Sequence, residues 1–156
     1  MRMLATTTRS RISRRRKASD LREETQRWTR SHADEVAVGH GCVFSERAAD
    51  HVVEFFEKHL RHTIGEWAGK RFTLMPRQRD DVIKPLFGWL DSRGRRRYRM
   101  AYIEVPKKNG KSGMCSGLAL YLLAADNEPG AQVYCAAASR EQAGIVYREA
   151  SAMAKA

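Results

Sequence analysis

A basic segment, Pro106-Lys107-Lys108-Asn109-Gly110-Lys111-Ser112, joins an apolar run with β character, Tyr102-Ile103-Glu104-Val105, to a helix-forming run that opens Gly113-Met114-Cys115-Ser116-Gly117-Leu118. These residue types suit phosphate chemistry. Gly110 has no Cβ, so its backbone can approach a phosphate closely. Free N–H groups at a helix start point at an anion, and the helix dipole favours negative charge there. Lys111 would place an ammonium beside the β- and γ-phosphates, and the Ser112 hydroxyl would ligate Mg²⁺. Strand, loop and helix in that order form the P-loop arrangement. The full pattern, G-x-x-x-x-G-K-[ST], is met only in part, because Val105 stands at the first glycine position. The competing reading of the same residues is a solvated basic turn.

The elements around this segment follow from local pattern. Residues 1–30 are basic and polar, with Arg9, Arg11, Arg14, Arg15, Arg16 and Lys17 close together, and are expected to be an unstructured leader. Residues 31–156 are expected to form the ordered part. Ser45 is a plausible N-cap for a helix carrying Ala48, Val52, Phe55, Phe56 and Leu60, ended by Thr63-Ile64-Gly65. A second helix is expected from Pro76, with Val82, Ile83, Leu86, Phe87 and Trp89 on one side and Pro85 interrupting it. Asp91-Ser92-Arg93-Gly94 reads as a turn and Met100 to Val105 as a strand. Asp126-Asn127-Glu128-Pro129-Gly130 breaks the helix that follows the loop. Gln132 to Ala137 then reads as a second strand, and Ser139 caps a last helix from Arg140. Strand–helix–strand–helix implies a parallel sheet.

Composition narrows the partners. A net charge of +11 favours a polyanion such as a nucleotide or nucleic acid. No apolar run approaches the ~18 residues of a membrane span, and the start lacks a secretory signal core. Cys42, Cys115 and Cys135 have no paired spacing, which fits reduced thiols in a cytosolic protein, with Cys115 and Cys135 as buried fillers. His59 and His62 are expected to share a helix face, but the five histidines have no recognised ligand spacing.

Several separated segments, in order, are similar to the large subunit of tailed-phage terminases. They are Gly65-Glu66-Trp67-Ala68-Gly69, Pro76-Arg77-Gln78 with Leu86-Phe87-Gly88-Trp89, Tyr98-Arg99, the strand and loop from Tyr102 to Ser112, and Ala124, Asp126, Glu128, Pro129, Gly130 and Ala131 with Val133-Tyr134. The similarity runs from about Trp28 to the end. It implies an α/β fold: an incomplete P-loop NTPase, its parallel sheet flanked by helices, preceded by a helical amino-terminal segment. It also implies an ATPase that drives double-stranded phage DNA into a capsid, with ATP and Mg²⁺ as cofactors. The implied partners are a terminase small subunit, a portal protein and further copies in a ring, in the host bacterial cytoplasm. By resemblance Lys107 or Lys108 supplies extra charge to the loop, and Gln78 reads adenine through its amide. Arg77 stands where many relatives carry an aromatic residue. Arg140 and Arg148 are positional choices for an arginine that reaches a neighbouring subunit.

Two components of that activity are missing from the sequence. No apolar strand ends in Asp-Glu to hold Mg²⁺ and orient water, and the carboxylate cluster of the metal-dependent nuclease that the resemblance implies for the carboxy-terminal half of the family is absent too. The chain is therefore expected to be an amino-terminal portion of the ATPase, marginally stable, with no meaningful hydrolysis by itself. A reading from another class is a basic nucleic-acid-binding module without nucleotide chemistry, built on the leader and on Arg93 to Arg99.

Overall fold

The computed structural model describes residues 18–156, so most of the expected leader, residues 1–17, lies outside the described residues. Its last part is not an unstructured arm. Ala18–Trp28 is helix α1, and Trp28 anchors it by stacking on Phe44 with ring centroids 4.3 Å apart. The Phe44 N–H also donates to Thr25 Oγ1 at 2.9 Å. One large aromatic supplies the apolar area that the polar composition hides. Ser31 then caps helix α2 (His32–Gly39), accepting from the Asp34 N–H.

Strand β1 (Val43–Phe44) leads into helix α3 (Glu46–His59), capped by Ser45 as the sequence implies. Helix α3 buries Ala49, Val52, Val53 and Phe56. It ends at His59, before Thr63-Ile64-Gly65, so His59 and His62 share no helix face. His62 instead stacks on Phe72 at 4.4 Å, and burial pushes its imidazole pKa down. An antiparallel bridge between Arg61 and Arg71 closes the intervening loop, whose tip is a 3₁₀ turn at Gly65–Trp67.

The chain becomes helical again at Pro76, widens into a π-helix at Gln78–Ile83, and continues as α4 (Lys84–Gly88). The Lys84 N–H bonds to the Arg79 carbonyl five residues back. This wide turn passes Pro85, which has no N–H to donate, without breaking the helix. Trp89 does not share that helix face. It belongs to strand β2 (Trp89–Leu90), antiparallel to β1 with Phe44 opposite Trp89. Trp28, Phe44, Ala49 and Trp89 form one apolar cluster.

Three of the five arginines between β2 and residue 100 are structural. Arg95 pairs with Asp91 at 2.8 Å, Arg96 with Asp126 at 2.6 Å and Arg97 with Asp34 at 2.7 Å. Each pair joins the 91–97 turn to itself or to a distant segment, so these guanidinium groups already have carboxylate partners.

Helix α5 (Lys111–Ala124) and helix α6 (Arg140–Met153) pack together and complete the main core with α3, Phe72, Leu74 and Ile83. Cys115 lies buried in α5, and burial pushes its thiol pKa up, which suits a filler rather than a nucleophile. The expected parallel sheet is not present among the described residues: the one sheet is the two-stranded antiparallel pair. Segments 100–105 and 132–137 belong to no helix and no sheet. From Ala101 to Val105, and again from Ala131 to Cys135, half-buried and exposed residues alternate as a strand would make them. The sequence thus encodes a two-faced stretch, whereas a ladder needs a neighbour whose backbone groups meet it in register. Among the described residues, no helix is long and apolar enough to cross a membrane.

Small residues let α3 approach α5. A Cβ built on Gly117 would lie 2.3 Å from the Phe56 ring and 2.9 Å from Leu60. Gly117→Ala therefore forces an overpacked contact in the interior of the core. We expect it to cost about 2 kcal/mol in a urea melt despite alanine's better helix propensity.

Candidate functional site

Gly110 ends the basic loop with φ +67° and is the N-cap residue of α5. That left-handed backbone favours glycine, and it turns the chain directly from loop into helix. Ser31, Ser45 and Ser139 cap α2, α3 and α6 with their hydroxyls, whereas no side chain caps α5. Lys108 also has positive φ, +69°. Pro106, Lys107, Lys108, Asn109, Gly110, Lys111 and Ser112 are all exposed. The arrangement is an open helix start with Lys111 and Ser112 in its first turn and two further lysines beside it, all able to meet an anion.

Beyond that first turn, α5 is rigidly seated. Gly113, Met114, Cys115, Ser116, Gly117 and Leu118 are buried in succession. A Cβ on Gly113 would sit 3.0 Å from the Phe72 ring and 3.2 Å from the Glu149 carboxylate. The Ser116 hydroxyl bonds the Ser112 carbonyl at 2.9 Å and the Val146 carbonyl at 3.1 Å, tying the loop helix to α6.

Gln78 is the site residue that long-range folding brings to the loop. Its Nε2 donates to the Asn109 carbonyl at 3.1 Å, and its Oε1 accepts from the Met75 N–H at 3.1 Å. A cleft of about 780 Å³ adjoins the loop, lined by Gln78, Val82, Leu86, Ile103, Lys111 and Met114 among others. A second cleft of about 460 Å³ touches Tyr121 and Ala125 near the far end of α5, where Arg96 and Asp126 on its wall are paired with each other. Arg140 and Arg148 are exposed on α6, where Arg148 bonds the Glu141 carbonyl at 3.4 Å.

A family model for the ATPase domain of the terminase large subunit matches residues 79–156. The chain belongs to this family. No curated protein and no solved structure matches it. The matched stretch spans half of this terminase chain and contains the whole loop and both helices α5 and α6. Membership of an ATPase family implies nucleotide binding. Gln78 lies one residue ahead of the matched stretch.

Sequence reasoning missed Glu149 as a neighbour of the loop helix, since nothing local signals a contact between residues so far apart. Burial pushes its carboxyl pKa above the ordinary value of 4.5, with Ser116 as a weak opposing donor. A carboxyl with a raised folded pKa holds its proton better folded than unfolded. Its stabilising effect is present below 4.5 and is lost as pH rises through the folded value. We expect Glu149→Gln to raise the melting temperature at neutral pH, with the gain vanishing below pH 4.5, in melts recorded across the pH range.

Proposed function

We propose that this terminase chain binds ATP with Mg²⁺ through Lys107, Lys108, Asn109, Gly110, Lys111 and Ser112, as the nucleotide-binding portion of a motor that packages double-stranded DNA. The observation that carries the reading is the coincidence of two facts. The Gly-Lys-Ser sequence falls at the one start among α2, α3, α5 and α6 that lacks a side-chain cap, and it lies inside the matched ATPase stretch.

In this reading the exposed N–H groups of the first turn and the Lys111 ammonium receive the β- and γ-phosphates. The Ser112 hydroxyl fits a hard cation as one oxygen ligand. Bound Mg²⁺ offsets phosphate charge. Lys107 and Lys108 add positive potential at the loop. The adjoining cleft offers space for the nucleoside. Turnover by the chain itself is not part of the proposal, because its sequence has no apolar strand ending in Asp-Glu.

Calorimetric titration with ATP–Mg²⁺, ADP–Mg²⁺ and AMP tests this. Affinity should fall steeply from ATP to AMP, since the contacts are to the outer phosphates. Equal affinity for all three would place recognition on the nucleoside and refute the loop assignment. The nucleic-acid-module reading gains no support from Arg95, Arg96 and Arg97, each of which has a carboxylate partner.

A further inference from the structure

We propose that Gln78 is a positioning residue for the phosphate loop: its amide ties the Met75–Gln78 turn to the Asn109 carbonyl and so sets the direction of the Gly110 N–H. The inference rests on the phosphate-loop reading above and assigns a task to a residue outside the matched stretch.

Gln78 is 9% exposed, and both ends of its amide have backbone partners. Those partners also fix which end is oxygen, since Met75 N–H needs an acceptor and the Asn109 carbonyl needs a donor. Among the described residues, the Gln78–Asn109 bond is the one hydrogen bond reaching into residues 106–110 from outside the loop and its helix. The fit is close: a Cβ on Gly110 would lie 3.0 Å from Gln78 Nε2.

The peptide geometry gives this bond a consequence. In a trans peptide the C=O and the following N–H point in opposite directions, and the described residues contain no cis bond. Anchoring the Asn109 carbonyl on buried Gln78 therefore turns the Gly110 N–H toward the exposed side of the loop. That is the side from which an anion arrives. Each end of the amide keeps one further site, an N–H and an oxygen lone pair, so the two backbone bonds by themselves give Gln78 a task at the loop.

The test uses the full chain, with ATP–Mg²⁺ and inorganic tripolyphosphate–Mg²⁺ as separate probes. Gln78→Met keeps side-chain bulk and loses both hydrogen bonds. Gln78→Glu keeps the acceptor for Met75 and loses the donor to Asn109. Circular-dichroism melts establish that each variant is folded. The proposal expects both variants to bind both probes about fivefold more weakly, by the same factor for each. A loss confined to ATP would show that Gln78 reads the base and would overturn the proposal, as would unchanged binding of both probes. Failure of the unmodified chain to bind tripolyphosphate would instead overturn the phosphate-loop reading and the positioning role with it.

Discussion

Lys111→Ala is expected to weaken ATP–Mg²⁺ binding by about tenfold to a hundredfold, the loss of a charge-assisted contact to phosphate. The same substitution should not lower stability. Lys111 is exposed in the first turn of α5, where its charge opposes the helix dipole. Removing that charge, and placing alanine in a helix, should leave the melting temperature equal or slightly higher. Affinity therefore falls without a loss of stability, which a general packing defect cannot imitate. Isothermal titration with ATP, paired with a thermal melt of the same sample, checks both. Unchanged affinity would contradict the site assignment.

Asp34→Ala is expected to have the largest effect on stability, about 3 kcal/mol in a urea melt. Asp34 Oδ1 accepts from Arg97 at 2.7 Å, while Oδ2 accepts from the Ser31 hydroxyl at 2.8 Å and the Arg30 N–H at 3.2 Å. Arg97 in turn donates to the Ala33 carbonyl at 2.9 Å and lies over the Trp89 and Tyr98 rings. Its side chain is only 17% exposed, so the substitution leaves a largely buried guanidinium without its carboxylate. Burial raises the Asp34 pKa, but the bonds from Arg97, Ser31 and the Arg30 amide outweigh it and hold the carboxyl below its ordinary value of 3.8. With the folded value depressed, the stabilisation is complete above 3.8 and is lost as pH falls through the folded value. The variant should therefore lose less stability than the unmodified chain on acidification below pH 3.8. A difference in stability that does not narrow in acid would count against this account of the pair.

What was legible in the sequence was local. Ser45 and Ser139 signal their helices because a cap is written in the residues beside it, and both cap as expected. Gly110-Lys111-Ser112 is legible for the same reason: loop and helix start are contiguous. The pair Asp34–Arg97 was not legible, because nothing in either neighbourhood names the other. Trp28 lies in a stretch whose basic surroundings read as a leader, whereas its stacking on Phe44 and the bond from the Phe44 N–H to Thr25 hold α1 in place. Pro85 by its type interrupts a helix, and the π-turn at Gln78–Ile83 shows how the backbone accommodates it. The stretches 100–105 and 132–137 display strand alternation, but pairing depends on partners that a pattern of period two does not specify. Gln78 was legible as a site residue through resemblance, while its contact with Asn109 could come only from the fold.

The central claim is that the loop from Asn109 to Ser112 cradles a triphosphate. Backbone amide shifts of the isotope-labelled chain, followed by NMR during titration with ATP–Mg²⁺, test it residue by residue. The account predicts that the amides of Gly110, Lys111, Ser112 and Gly113 move first and furthest. Saturable ATP binding that leaves these four amides unmoved while shifting others would contradict it.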